Sequence, residues 1–204
     1  MMRNVIVCGL VVAGLAAGCG GQEMGMSDPN AQVEARVNPL EASGMVTLYV
    51  KVVGADGTAF GGESTQKGRE DFIPAIQFYS DITKASAGGA TKCTTFNFTK
   101  AAGTTSPLFA RAISSGETLK SVHMDFVKEG GLVFTWQTID LTGVRVSMLE
   151  QGSTTPGAGV NSGLLEEVSL TPVGTANVTL TSIPQREDGT AGASIVTPFT
   201  CKGG

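Results

Sequence analysis

The sequence is poor in histidine and in charge: it has one histidine, His123, and charged residues make up only 16% of 204 positions. A lone histidine argues against histidine-rich metal sites and leaves little room for histidine-based catalysis. The formal net charge of −4 argues against nucleic acid or an anionic membrane surface as a partner, because both attract basic patches. Few charges and 28 glycines favour a β-rich fold with many turns.

The sequence also lacks an apolar run long enough to span a bilayer as a helix, which needs about 20 residues. Residues 5–17 are uncharged and follow Arg3, a pattern typical of an export signal. This run leads into LAAGC at 15–19, which resembles the lipobox of bacterial lipoproteins. We therefore predict a signal peptide at 1–18 and a lipidated Cys19 whose acyl chains hold the protein on a membrane. The alternative is an ordinary secretory signal that leaves Cys19 as a free thiol.

Cysteine is scarce as well, with four in the chain. Cys8 would leave with the signal peptide and Cys19 would carry the lipid, so Cys93 and Cys201 remain. An even pair in an exported protein predicts a disulfide between them. The alternative is two unpaired thiols that lie too far apart to meet.

Residues 19–44 lack clean periodicity, and they predict a flexible tether. The alternative there is a strand at 31–37, AQVEARV, which alternates apolar and polar residues. From Met45 onward the alternation is typical of strands, and we predict one domain at 45–204. A shift of alternation before Val144 indicates a bulge in one long strand. The predicted strands lie near 45–53, 72–82, 94–99, 121–127, 132–148, 166–170 and 176–183.

One short helix interrupts the strands, within TSPLFARAISSG. Ser106 suits the N-cap position, Pro107 the first turn and Gly116 the C-terminal stop. An apolar stripe at helical spacing predicts the face that packs on the core: Phe109, Ala112 and Ile113. About seven strands and a helix of about ten residues predict a β-barrel or sandwich. The tail after residue 183 is rich in turn residues, with a turn at Asp188-Gly189.

No catalytic constellation is predicted. Ser121, His123 and Asp125 imitate a triad, but they alternate along one strand and stand about 6.5–7 Å apart, whereas a triad needs contacts of about 2.6–3.2 Å. No Gly-x-Ser-x-Gly elbow is present. Lys67 precedes Gly68, the wrong order for a phosphate-binding loop. We predict the polar face of a strand, no enzyme activity, no metal and no cofactor.

Residues 61–83, GGESTQKGREDFIPAIQFYSDIT, resemble the signature of the haemolysin-coregulated protein (Hcp) family. Four further segments resemble the family in order: SPLFARAISSG, VHMDFVKEGG, EEVSL and IPQREDGTAGA. Together the resemblance covers about residues 45–202. The signature positions that match are Gly62, Glu63, Ser64, Lys67, Gly68, Glu70, Asp71 and Ile73.

The resemblance implies a small β-barrel of two packed antiparallel sheets with one α-helix at the side. It implies a non-enzymatic tube protein of the type VI secretion system, in which six subunits form a ring, rings stack into a tube, and some members hold small effector proteins. The loop at 54–71 that carries the signature would then contact a neighbouring subunit. The alternative is a solvated loop.

The export signal departs from the family, whose usual members lack one and assemble in the cytoplasm. Met45 lies where such members begin, so it could be an alternative start. If the signal is used, the protein is a lipid-anchored relative outside the cytoplasm. An aspartate directly after the lipidated cysteine would favour retention in the inner membrane, but Gly20 follows Cys19 here. We therefore predict a location at the outer membrane or the cell surface, or secretion. The alternative function is a surface-anchored binding module or adhesin that does not assemble into rings.

Overall fold

The computed structural model describes residues 46–84, 86–128, 133–153, 163–186 and 188–203. These residues belong to one of the two compact units of the chain, Val37–Gly204. The predicted signal peptide, Cys19 and tether lie outside the described residues. The elements are β1 (Val46–Val53), β2 (Ile73–Lys84), β3 (Thr91–Ala101), α1 (Ser106–Ser115), β4 (Ser121–Lys128), β5 (Phe134–Ser153), β6 (Leu164–Ser182) and β7 (Ile195–Gly203).

The seven strands pair in the closed order β1-β2-β3-β7-β6-β5-β4, with an additional β3–β6 pairing. Neighbours are antiparallel except β3 and β7, which pair in parallel over two residues. β6 pairs with β3 through its first half and with β7 through its second. β5 is long enough to pair with both β4 and β6, and β6 pairs with β5 along one edge and with β3 and β7 along the other. The strands therefore form one continuous sheet. The predicted mainly β barrel with one short helix is confirmed, and its strands form one closed sheet where two packed sheets were expected.

The long strand β5 bends at Gly143. The register between β5 and β6 shifts between Thr142 and Val144, and Gly143 has a φ of 73°. A Cβ at Gly143 would stand 2.8 Å from the carbonyl oxygen of Thr175, so the bend needs a glycine both for its backbone angle and for space. The bulge predicted from the shifted alternation is confirmed.

Alternation places the predicted apolar faces inside the barrel. Phe96 and Phe98 of β3 are buried, and Phe109 of α1 is fully buried against them. The Phe109 ring meets those of Phe60 and Phe98 edge-on, at centroid distances of 5.4 and 5.9 Å, a favoured aromatic geometry. Other strand residues at alternating apolar positions are also buried: Leu48, Val50, Val52, Val122, Met124, Phe126, Val144 and Val146. Met148, which continues the alternation of Val144 and Val146, is instead 37% exposed.

Two details of the predicted helix are wrong. Ser106 is not the N-cap, because its hydroxyl is engaged elsewhere, with the Gly103 N–H and the Glu166 carboxylate. The N-cap position is Thr105, which makes no side-chain cap. Ile113 is 36% exposed rather than packed on the core. The predicted stop is confirmed, since Gly116 is left-handed with a φ of 65° and its N–H donates to two carbonyls of the last turn.

The C-terminal tail forms a strand that the sequence pattern did not indicate. The turn at Asp188-Gly189 is present: the Gly189 N–H donates to the carbonyl oxygen of Arg186. Beyond it, β7 pairs with β6 from Thr175 to Ser182. The segments predicted as separate strands at 166–170 and 176–183 are one strand, β6, which explains why the strand count still reached seven.

Candidate functional site

The loop between β1 and β2 closes on itself at its base. The Gly62 N–H donates to the carbonyl oxygen of Asp71 over 2.8 Å, and the Ser64 N–H donates to that of Phe72 over 3.0 Å. A Cβ at Gly62 would lie 2.1 Å from the Phe72 backbone, so no other residue fits there. The buried Ser64 hydroxyl accepts the Gln66 N–H at 3.1 Å. These signature positions build the loop itself.

The tip of this loop is exposed and turns through two left-handed residues. Gly68 has a φ of 80° and Asp71, unusually for a residue with a side chain, a φ of 65°. The Glu70 carboxylate accepts the Gly68 N–H at 2.9 Å; backbone hydrogen bonds from Glu70 itself and Gly68 lower the pKa of Glu70. Lys67 extends from the same tip with an exposed side chain. The tip therefore presents charges of both signs to any approaching surface.

Glu63 fastens one side of the loop to the turn before α1. Its carboxylate accepts the Thr104 N–H at 2.5 Å and the Thr104 hydroxyl at 2.9 Å. These two hydrogen bonds hold the pKa of Glu63 below its usual value. Gly103 leaves room for the carboxylate, because a Cβ there would lie 2.0 Å from it. The signature glutamate is thus a structural clamp between loop and helix.

Arg69 fastens the other side of the loop to the outer face of the barrel. Its Nε donates to Asp125 Oδ2 over 2.9 Å, and its guanidinium also bonds the Thr135 hydroxyl. The guanidinium lies 5.5 Å from the centre of the Tyr49 ring, a cation–π arrangement. Sequence analysis did not single out Arg69, since its partners are more than 50 positions away. The loop is folded onto its own subunit.

His123 lies between two aspartates rather than in a triad. Its Nε2 is 3.0 Å from Asp125 and its Nδ1 is 2.6 Å from Asp140. The prediction that His123 and Asp125 are too far apart for a hydrogen bond is wrong. It used the spacing of the backbone along the strand, whereas the two side chains lean toward each other and meet. Ser121 has no hydrogen bond to this pair among the described side chains.

The two aspartates raise the pKa of His123 to about 9, chiefly through the hydrogen bond to Asp125 and against the effect of burial. An imidazolium has no free lone pair with which to accept a proton from a nucleophile. Burial would raise the pKa of Asp125, but the bonds from His123 and Arg69 outweigh it and lower that pKa. The cluster therefore stabilises the loop electrostatically and is poorly suited to general-base catalysis.

A buried ion pair, which sequence analysis missed, lies beneath the helix N-terminus. Lys100 Nζ and Glu166 Oε2 are 2.6 Å apart, and the two side chains are 1% and 0% exposed. Gln151 and Ser106 donate to the carboxylate at 2.6 and 2.7 Å, and the lysine also donates to the carbonyl oxygen of Ala101. Burial alone would raise the pKa of Glu166, but these donors lower it. The network joins β3, β5, β6 and α1.

Cys93 and Cys201 lie side by side, with sulfur atoms 2.09 Å apart and Cα atoms 5.6 Å apart. Both are buried, at 0% and 1% exposure. They join β3 to the C-terminal strand beside the short parallel pairing of those strands. The geometry suits the disulfide predicted from their number, and whether the bond forms in the exported protein is a prediction.

Within the described ranges, no group of three or more candidate ligand residues could hold a metal ion. A search of the same residues finds no helix with the length and apolar character needed to span a membrane.

The family model for the type VI secretion system effector Hcp matches residues 49–173. This chain belongs to the Hcp family. The match includes the loop, α1, β4, β5 and the first half of β6, so Hcp membership rests on the same residues that build the loop and its clamps. No curated protein matches the sequence.

Solved Hcp structures share the fold. Hcp1 from E. coli EAEC 042 pathovar is 20% identical with a TM-score of 0.60, over 76% of this chain and 99% of that one. Hcp1 from Salmonella typhimurium is 18% identical with a TM-score of 0.60, over 76% and 93%. The secreted protein Hcp3 from Pseudomonas aeruginosa is 17% identical with a TM-score of 0.56, over 78% and 99%. The barrel of this chain therefore has the fold of these solved Hcp structures.

Proposed function

We propose that this Hcp-family chain is a non-enzymatic, ring-forming protein that is exported and lipid-anchored through Cys19. The proposal of ring formation rests on the family match over residues 49–173, together with the Hcp-like barrel. The lipobox-like LAAGC at 15–19 supports the anchor. In this proposal the protein acts through its surfaces, as a structural or accessory component of secretion at the cell envelope, and any cargo is a small effector protein inside the ring.

Exposed apolar side chains support assembly. Ile76 and Tyr79 of β2 are each 58% exposed, and Ile195 and Val196 of β7 are 65% and 56% exposed. Ring closure by rotation requires two different surfaces on each subunit that fit each other, and exposed apolar patches are typical of protein contacts. Two separate strands of each subunit thus carry exposed apolar side chains that are available for such contacts.

Native mass measurement of the mature chain, with Cys19→Ser to remove the lipid, tests assembly. We expect a hexamer. Ile195→Lys is expected to shift the population to monomer, whereas the control Val133→Lys, at a side chain 56% exposed, should leave it assembled. A species that is monomeric at the highest concentration would reject the ring and favour the binding module or adhesin instead.

Detergent-phase partitioning of the expressed chain tests the anchor. The unaltered protein should enter the detergent phase, and the Cys19→Ser variant should remain in the aqueous phase. Partitioning of that variant with the detergent would contradict acylation at Cys19. Fractionation of native cells with an antibody to the barrel would then place the protein at the outer membrane, the cell surface or outside the cell.

A further inference from the structure

The last strand, β7, contributes few side chains to the core. Of its nine residues only Cys201 is buried, and Phe199 is half-buried against the core. Pro198, near the middle of the strand, has no backbone N–H to donate. Elements with few buried contacts open at a lower free energy than the rest of a fold. We therefore expect β7 to open more easily than the strands that carry the core.

Backbone pairing holds β7 mainly along one edge. Its neighbour on that edge is β6, which pairs with it over eight residues from Thr175 to Ser182. Among the described residues, the other edge of β7 pairs only with β3, over two residues near its C-terminal end. The bond between Cys93 and Cys201 lies at this short seam. The disulfide is therefore the main connection between β7 and β3.

The rest of the barrel closes without β7. β3 and β6 also pair directly, over the six residues of β3 from Phe96 to Ala101. The other strands therefore form a closed order of their own, β1-β2-β3-β6-β5-β4. The family match, residues 49–173, also ends before the half of β6 that pairs with β7. Release of β7 would thus leave a closed six-stranded barrel.

We propose that the Cys93–Cys201 disulfide is a redox lock on β7. With the bond formed, β7 stays on β6, and its seam with β3 is sealed. A dithiol reductant that breaks the bond gives up two electrons and two protons and becomes a disulfide itself, and each cysteine sulfur takes up one hydrogen. β7 then opens as a unit, while the six-stranded barrel stays folded.

Release of β7 uncovers an edge of β6. Its second half loses the strand that it pairs with, and Ala176 and Val178, which are 0% and 1% exposed in the closed barrel, become more accessible. A free strand edge beside apolar side chains is prone to pair with other chains, so the lock keeps such an edge covered. Disulfides persist outside the cytosol and are rare within it. A chain exported as proposed above would therefore be sealed only after export; that step rests on the proposed function, whereas the lock itself does not.

Hydrogen exchange followed by mass spectrometry tests the lock. The mature chain carrying Cys19→Ser is measured oxidised and after treatment with dithiothreitol. We expect reduction to speed exchange at 175–182 and 195–203 by at least about thirtyfold, the change in open population that loss of a typical disulfide produces, and to leave β1 and β4 unchanged. The control, Cys93→Ala with Cys201→Ala, should exchange like the reduced chain whether or not dithiothreitol is present.

Three results would overturn the proposal. The first is equal exchange of β7 in the oxidised and the reduced chain, and the second is free alkylation of both cysteines in the oxidised, denatured chain. The third is exchange that rises equally in β1, β4 and β7, because the bond would then stabilise the whole barrel rather than one strand. None of these results depends on assembly or on detergent partitioning, which test the proposed function separately.

Discussion

Replacing Lys100 by methionine should destabilise the protein far more than any exposed lysine can. The substitution removes the cation that stands 2.6 Å from Glu166, in a site where both side chains are almost fully buried. Breaking a buried ion pair by removing one partner typically costs about 3–5 kcal/mol, because the other charge is left in a low-dielectric site. For a domain of this size, this corresponds to a fall in Tm of about 6–20 °C.

Two comparisons separate the ion pair from lost packing. Lys92→Met changes an exposed lysine on the same strand, β3, and should alter stability by less than about 0.5 kcal/mol. The double variant Lys100→Met with Glu166→Leu leaves no unpaired charge, and such apolar replacements are often neutral or stabilising. We expect the double variant to be clearly more stable than Lys100→Met alone.

Urea unfolding of the mature chain, followed by circular dichroism at several pH values, measures these differences. Paired Glu166 has a lowered pKa, so the pair stabilises the fold above the ordinary glutamate pKa and loses this effect as pH falls through the lowered value. The deficit of Lys100→Met should therefore be largest at neutral pH and shrink in acid. A Lys100→Met deficit no larger than that of Lys92→Met, or a double variant that loses as much as the single, would refute the reasoning.

Three further predictions concern the loop, the charge cluster and the cysteines. Gly62→Ala should lower the free energy of unfolding by more than about 2 kcal/mol, because its Cβ would overlap backbone; Gly61→Ala, with nothing within 4 Å, is the control, and equal urea midpoints would contradict the clash. The raised pKa of His123, about 9 against 6.5, predicts a stabilising effect that is complete below pH 6.5 and lost as pH rises through 9; a His123→Gln variant with the same pH profile as the unaltered protein would disprove it. Cys93→Ser with Cys201→Ser should cost about 2–5 kcal/mol, and free alkylation of both thiols in the non-reduced, denatured exported protein would rule out the bond.

Much of the barrel could be predicted from local pattern because strand alternation depends only on neighbouring residues. Phe96 and Phe98, or Val122 and Met124, are buried as their spacing indicates. The C-terminal strand β7 could not be predicted in this way, because its side chains are mostly exposed and show no alternation of burial. It is a strand because β6 pairs with it through hydrogen bonds. The predicted N-cap at Ser106 is wrong for a similar reason, since its hydroxyl donates a hydrogen bond to Glu166, 60 positions away.

The sequence by itself determined the family, the barrel class, the glycines of the loop and the pairing partners available to the cysteines, since these follow from local chemistry and residue identity. Only the tertiary structure decided what the charged side chains do. The contacts of Arg69 with Asp125, of Lys100 with Glu166 and of His123 with Asp140 join residues of different segments that meet only in the folded barrel. The spacing of these residues along the chain does not indicate such contacts, because electrostatic energy depends on distance in space and on burial.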